Sequence, residues 1–280
     1  MTKIDRQTIQ ESRIASVGDF FNILDLALSS HSEGVLSVAQ FVSFLESLVF
    51  RNRNREIFRK IDKEACFQEM ALRTRAIYGQ YEVALESEAY RAIEKSSSEL
   101  SLHDSIQKLG FAPIARTLEF ARLEAESLSC DTVKRCCHIG HGAFPETLFA
   151  LRKFLAQKDE LVGLDFDKTA HMMATNLVKQ YKIDRIDIVN EYGEKMNYAD
   201  FCHIHIAVLV RPLMLILKRI FETADQNTVL VLRNVDGLAS LIYEPISEKE
   251  YGILAENQFV AQDMVRGHAV VHSEIFVRRM

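Results

Sequence analysis

Residues 136–148 read Cys-Cys-His-Ile-Gly-His-Gly-Ala-Phe-Pro-Glu-Thr-Leu, and Asp165 and Asp167 follow in Val-Gly-Leu-Asp-Phe-Asp. Gly140 and Gly142 stand between a short apolar run and a helical pattern. Asp165 closes a second apolar run about 20 residues further on, the spacing of a βαβ unit that holds a nucleotide or nucleoside. In such a unit the glycines let backbone approach the ligand. The acid accepts hydrogen bonds from ribose hydroxyls.

The turn also limits what it can hold. A third glycine at dinucleotide spacing is missing, and Phe144-Pro145 stands there instead. A pyrophosphate needs unobstructed backbone amides at a helix N-terminus, and Phe144 is expected to crowd them. The sequence has no Gly-Lys-Ser/Thr phosphate loop. S-adenosylmethionine is therefore expected rather than NAD. Gly140, His141, Gly142, Ala143 and Phe144 would surround its amino-acid part. Asp165, with Phe166 beside it, would take the ribose. Asn190 and Glu191 would read an adenine edge, and Val208 and Leu209 would wall the pocket.

These residues need a sheet to place them. After about residue 130, strand patterns at 133–139, 160–165, 186–189, 201–208, 228–233 and 270–277 alternate with helical patterns at 145–156, 168–181 and 212–221. That alternation predicts a mostly parallel sheet covered on both faces. Before it, apolar residues recur at helical spacing through 20–28, 38–49, 57–85 and 106–128. The expected architecture is α/β. An all-helical domain over 1–128 precedes a Rossmann-like domain over 129–280, of the class I S-adenosylmethionine-dependent methyltransferase fold.

Composition narrows the partners. The chain has 280 residues, is 48% hydrophobic and carries a net charge of −5. That charge argues against a nucleic-acid surface, and the basic run from Arg51 to Arg55 reads as a solvated helix start. The apolar run 204–216 contains Arg211 and Pro212 and is too short to span a bilayer. Cys66, Cys130, Cys136, Cys137 and Cys202 show neither disulfide nor zinc spacing, which suits a reducing cytoplasm. His203 and His205, two apart on a strand, share a face with no acid or thiol at a recognisable ligand spacing. With His138 and His141 they are expected to be core or pocket-lining residues, and no metal is expected. The expected partner is a small-molecule amine or amino acid, with neither nucleic acid nor membrane. A homodimer through the helical domain is a further expectation.

The segment Leu232-Arg233-Asn234-Val235-Asp236-Gly237, running on to Tyr243-Glu244-Pro245, resembles the nicotianamine synthase family. So does the ending Val270-Val-His-Ser-Glu-Ile-Phe-Val-Arg-Arg279. The turn from Gly140 to Leu148 is similar to that family's glycine/proline turn. It is closer still to that of the bacterial opine-metallophore synthases of the staphylopine type, and Asp165-Phe166-Asp167 matches both. The resemblance covers roughly residues 60–280. It implies that an amine attacks the γ-carbon of S-adenosylmethionine. The 3-amino-3-carboxypropyl group would then be transferred and 5′-methylthioadenosine released. It also implies a glutamate base on a helix of the helical domain, matched by Glu82 in Tyr78-Gly-Gln-Tyr81-Glu82-Val-Ala-Leu-Glu86. Tyr78 would share its face, and Tyr81 would wall the sulfonium by a cation–π contact. Arg233 and Tyr243 would meet the substrate. Arg233 would hold a carboxylate or else pair with a local acid such as Asp236.

Three departures bear on the acceptor. The stretch Ile114-Ala-Arg-Thr-Leu-Glu-Phe120 lacks the family's asparagine–tyrosine pair. Lys168 stands where proline is usual, and Cys202-His-Ile-His-Ile206 differs from the usual small-residue strand ending. Two alternatives stay open. One is cyclisation of S-adenosylmethionine to azetidine-2-carboxylate, and the other is conventional methyl transfer to a small molecule.

Overall fold

The structure, a computed structural model, describes residues 14, 16–52, 61, 65–95, 112–127, 135–155, 159–266 and 271–278. The expected element portions at 57–60, 62–64, 106–111, 128, 133–134, 156 and 270 lie outside the described residues, as do 53–55 of the basic run and Cys130. Among the described residues no helix is long and apolar enough to cross a membrane. The chain divides into two compact units, one of Met1–Glu82 with Val235–Pro245, the other of Val83–Asn234 with Ile246–Met280. This division differs from the break expected at 128/129. The second part of one long helix and all of the helix before the first strand pack with the sheet.

The first unit holds α1 (Val17–Ser32), α2 (Val38–Asn52) and the first part of α3 (Ala65–Glu94). Ser16 starts α1 with a capping box: its hydroxyl accepts from the Asp19 amide, and the Asp19 carboxylate accepts from the Ser16 amide. Phe20, Leu24, Ala27 and Leu28 form the buried stripe of α1, and Phe41, Val42, Leu45 and Val49 that of α2. A 3₁₀ turn, Gly237–Leu241, joins this unit because α3 holds it. The Thr74 hydroxyl donates to the Leu241 carbonyl at 2.5 Å, and Arg75 Nε donates to the Ser240 carbonyl at 2.7 Å.

The second unit is built on seven strands: β1 (Arg135–Ile139), β2 (Glu160–Asp165), β3 (Ile186–Asn190), β4 (Phe201–Ile206), β5 (Val229–Asn234), β6 (Phe259–Arg266) and β7 (His272–Arg278). Their order is β3-β2-β1-β4-β5-β7-β6, with β7 running opposite to the other six strands. This is the expected fold class. α7 (Leu213–Thr223) and α8 (Glu248–Glu256) cover one face through Ile216, Leu217, Ile220 and Leu254, against Ile204, Ile206, Leu230 and Leu232. On the other face, α5 (Glu146–Phe154), α6 (Lys168–Gln180), α4 (Ala112–Ser127) and the second part of α3 bury Leu148, Leu177, Ala125, Ala89 and Ile93. Cover on both faces explains why the strands read as apolar runs rather than alternating ones.

Strand order reverses between β1 and β4, so a crevice opens beyond their C-terminal ends. The sequence patterns gave no expectation for α8 or β6. β6 is an edge strand, exposed from Ala261 to Met264 and broken by a bulge between Ala261 and Asp263, so it has no apolar alternation. α8 is short, but Ser247 and Glu250 form a capping box that marks its start.

Candidate active site

A cavity of about 580 Å³ occupies that crevice, lined wholly by the second unit. The turn after β1 supplies Gly140, Gly142 and Ala143, and β2 ends there in Asp165, Phe166 and Asp167. Glu191 and Tyr192 follow β3, Leu209 and Val210 follow β4, and α3 supplies Val83 and Glu86. Five carboxylic side chains (Glu86, Asp165, Asp167, Glu191 and Glu194) line it against one guanidinium, Arg211. A cavity so charged favours a cationic ligand over a phosphate.

The turn requires its glycines. Gly140 and Gly142 have φ of +80° and +66°. A Cβ at Gly140 would stand 2.3 Å from Val210 Cγ2, and one at Gly142 would stand 2.2 Å from Glu86 Oε2. Two carboxylates take the turn's amides. Gly142 N–H donates to Asp165 Oδ2 at 3.0 Å, and Ala143 N–H donates to Glu86 Oε2 at 2.8 Å. The Phe144 amide also donates to Glu86. Burial, together with the nearby charges of Glu146 and Asp165, pushes the Glu86 carboxyl up to about 8, although the two amides favour its ionised form.

On the other side of the cavity, Asp165 Oδ1 accepts from the Asp167 amide at 3.0 Å, which fixes the carboxylate at the strand end. Asp167 caps α6 by accepting from the Thr169 and Ala170 amides at 2.7 and 2.9 Å. Phe166 and Tyr192 stack with centroids 5.6 Å apart and planes at 19°, though 61% and 46% exposed. The pair offers aromatic surface to a planar ring, and Lys195 Nζ lies 4.4 Å from the Tyr192 centroid.

Other expected ligand residues are placed differently. The Phe144 side chain is fully buried against Phe149 and does not crowd the turn. It is Glu86 that closes the turn to a pyrophosphate. His141 Nδ1 donates to the Gly142 carbonyl at 2.7 Å, and the ring packs beneath the turn, near where a Cβ on Gly163 would stand. Asn190 is not in the lining; its Nδ2 donates to the Asp165 carbonyl at 2.9 Å and so ties β3 to the end of β2. Val208 is also absent from the lining, whereas Leu209 and Glu191 belong to it.

Arg233 does not line the cavity either. Its Nε and Nη2 donate to the two oxygens of the buried Glu124 at 3.0 and 2.7 Å, and its Nη1 donates to Thr147 Oγ1 at 3.1 Å. Burial alone would raise the Glu124 carboxyl, but Arg233 holds it below the ordinary value. Arg233 therefore neutralises a core acid from α4. Burial also keeps His138 and His205 neutral, with His205 pushed down to about 4.

The remaining expected residues meet in the first unit. Tyr243 O–H bonds Glu82, and Tyr78 O–H donates to Glu46 Oε1 at 2.8 Å. Tyr78 and Tyr243 meet edge to face at 5.3 Å, with Tyr81 6.1 Å from Tyr78. Burial and the neighbouring carboxylates raise both phenols, Tyr78 and Tyr243, so they remain donors. The sequence reading grouped Tyr78, Tyr81 and Glu82 and gave Tyr243 separately to the substrate, whereas the structure brings the four together. It gave no role to Glu86, the residue that reaches the glycine turn, one helical turn beyond Glu82. A face drawn through Tyr78 and Glu82 at four-residue steps arrives at Glu86 next. Tyr192, directly after Glu191, was also missed.

No family model matches the chain, and comparison with curated sequences finds no match. Three structures of MtNAS, a nicotianamine synthase, are similar to it. They are a glutamate-to-glutamine variant in complex with S-adenosylmethionine (TM-score 0.79), that variant alone (0.77), and MtNAS in complex with MTA and tNA (0.77). Each is 16% identical, covering 93% of this chain and 98% of that one. The likeness shows a fold shared over nearly the whole length of both chains.

Proposed function

We propose that the chain is an S-adenosylmethionine-dependent transferase that moves the 3-amino-3-carboxypropyl group, serving metallophore or related small-molecule synthesis. The observation that carries this reading is the Glu86 carboxyl on the glycine turn. It takes amides that a phosphate would otherwise use, so the turn suits an ammonium or sulfonium ligand. MtNAS shares the fold and has been crystallised with S-adenosylmethionine and with MTA.

In this reading Asp165 accepts the ribose hydroxyls, the Phe166–Tyr192 pair meets the adenine, and the turn receives the methionine part. An acceptor amine attacks the γ-carbon. The C–N bond forms as the C–S bond breaks, methylthioadenosine leaves, and Glu86 takes the amine proton. A base with a pKa near the working pH suits that transfer. Because the sulfonium activates every carbon bonded to it, position selects the γ-carbon over the methyl.

A second reading rests on the same carboxyl. A base beside the methionine part is also placed to take a proton from the donor's own α-amine, which would close a four-membered ring. Mass spectrometry after incubation with S-adenosylmethionine, with and without a pool of amino acids, separates these readings. Methylthioadenosine formed only with an amino acid, together with a product heavier by the transferred group, supports the transferase. Methylthioadenosine with azetidine-2-carboxylate and no added amine supports cyclisation. S-adenosylhomocysteine overturns both and leaves a methyltransferase.

A further inference from the structure

The N-terminal ends of β1 and β4, at the far end of these strands from the cavity, bring together two thiols and an imidazole. His203 Nδ1 lies 3.7 Å from Cys136 Sγ and 3.3 Å from Cys202 Sγ, and all three atoms lie within 4.8 Å of one another. Cys136 and His203 are buried, while Cys202 is part-exposed and leaves the cluster reachable from solvent.

Consecutive residues of a regular strand point to opposite faces, so Cys202 and His203 should not meet. A bulge allows it. Arg135 pairs with Phe201, but Cys136 pairs with His203, which leaves Cys202 as an extra residue on β4. The packing records the same shift. Phe201 and Ile204, three apart, both enter the core under α7, where regular alternation would separate them. Bulges re-aim side chains in this way, and here one aims a thiol at the imidazole.

We propose that Cys136, Cys202 and His203 form a binding site for a thiophilic d¹⁰ metal ion, zinc(II) or copper(I). The donor set of two thiolates and one imidazole selects such ions over calcium or magnesium. The distances suit a metal as well. Zinc bonds of about 2.3 Å to sulfur and 2.05 Å to nitrogen at a tetrahedral angle put S and N about 3.5 Å apart. The observed separations of 3.7 and 3.3 Å bracket that edge. Binding releases the two thiol protons to solvent and ties β1 to β4 across the bulge.

The test uses the full-length chain, reduced and stripped of metal. Cobalt(II) should add one equivalent per chain with a thiolate-to-cobalt charge-transfer band, and zinc should displace it. Zinc at a hundredfold excess over its Kd should raise the Tm by about 5 °C or more. In the wild-type protein, zinc should slow alkylation of Cys202 at least tenfold and leave the exposed Cys66 unaffected. Cys202→Ser, checked for its fold by circular dichroism, should lose the band, while Cys66→Ser keeps it. Separate titrations with zinc and copper(I) identify the ion preferred. Absence of the band, equal cobalt binding by Cys202→Ser, or unchanged alkylation of Cys202 with either ion overturns the proposal.

Discussion

Replacing Glu86 with glutamine should stabilise the protein while abolishing its activity. Glutamine keeps an oxygen to accept from the Ala143 amide and replaces a group whose ionisation Glu146 and Asp165 oppose. The carboxyl is raised from its ordinary 4.5 to about 8 in the folded chain. For a raised carboxyl, folding is unpenalised below pH 4.5 and loses stability as pH rises toward 8, because the unfolded chain ionises first. At 1.36 kcal/mol per pKa unit, the penalty is roughly 3 kcal/mol at pH 7 and levels off near 5 kcal/mol above pH 8. Glu86→Gln removes that penalty, so its Tm should exceed the wild type's by about 6–12 °C at pH 7, at roughly 2–4 °C per kcal/mol. The gain should vanish by pH 4.5. Paired melts from pH 4 to 9, with methylthioadenosine release assayed on the same samples, test this directly. A variant no more stable than wild type at pH 8, or a gain independent of pH, would refute a strained, proton-accepting Glu86.

Other perturbations probe the site and its supports. A cation bound beside Glu86 lowers its pKa, so S-adenosylmethionine should release up to one proton at pH 7. Its affinity should rise with pH and flatten above about 8; calorimetry in buffers of different ionisation enthalpy reads this, and binding without proton release contradicts it. Gly142→Ala drives a Cβ into Glu86 and should weaken that ligand at least tenfold. Gly34→Ala serves as control, since its φ is also positive, +75°, but no atom lies within 4 Å of its Cβ. Equal effects from the two would argue against the steric account. Arg233→Met strands Glu124 as an unpaired buried charge and should cost about 3–5 kcal/mol in urea denaturation. Unchanged stability with a raised KM would instead return Arg233 to a substrate-binding role.

The parallel sheet was legible because β1 to β5 are apolar runs parted by amphipathic helices, and covering both faces of a sheet demands that pattern. The edge was not. β6 faces solvent through Ala261 to Met264, so nothing forces its residues to alternate. Within the site, Gly140, Gly142 and Asp165 were legible because turn geometry and hydrogen bonding restrict their residue types. Phe144 and His141 were assigned to ligand binding because chain neighbours of a site are assumed to face it, whereas for Arg233 a carboxylate ligand and an ion pair with a local acid both stood open. Phe144 and His141 instead turn beneath the turn, and Arg233 turns to Glu124 on α4. Glu86 lies far from the turn in sequence, and its one local mark is its place on the helix face that runs through Tyr78 and Glu82. Cys202 and His203 were kept apart by strand alternation, which a one-residue bulge suspends.

The two carboxylates on the turn account for how a phosphate-friendly architecture comes to suit a cation. A helix beginning after a glycine turn attracts anions through its free amides. Here Asp165 and Glu86 take the amides of Gly142, Ala143 and Phe144 before any ligand arrives. The acceptor that a phosphate would supply is thus built into the chain. Glu86 also lies in reach of the charges of Glu146 and Asp165, so at neutral pH it retains its proton and is ready to give it up. A sulfonium or ammonium entering the cavity supplies the missing positive charge, ionises Glu86, and so creates the base only when there is a substrate to use it. Gly142 is needed for the approach of the carboxylate as much as for the approach of the ligand. That double requirement separates this turn from a dinucleotide turn that shares its glycine spacing.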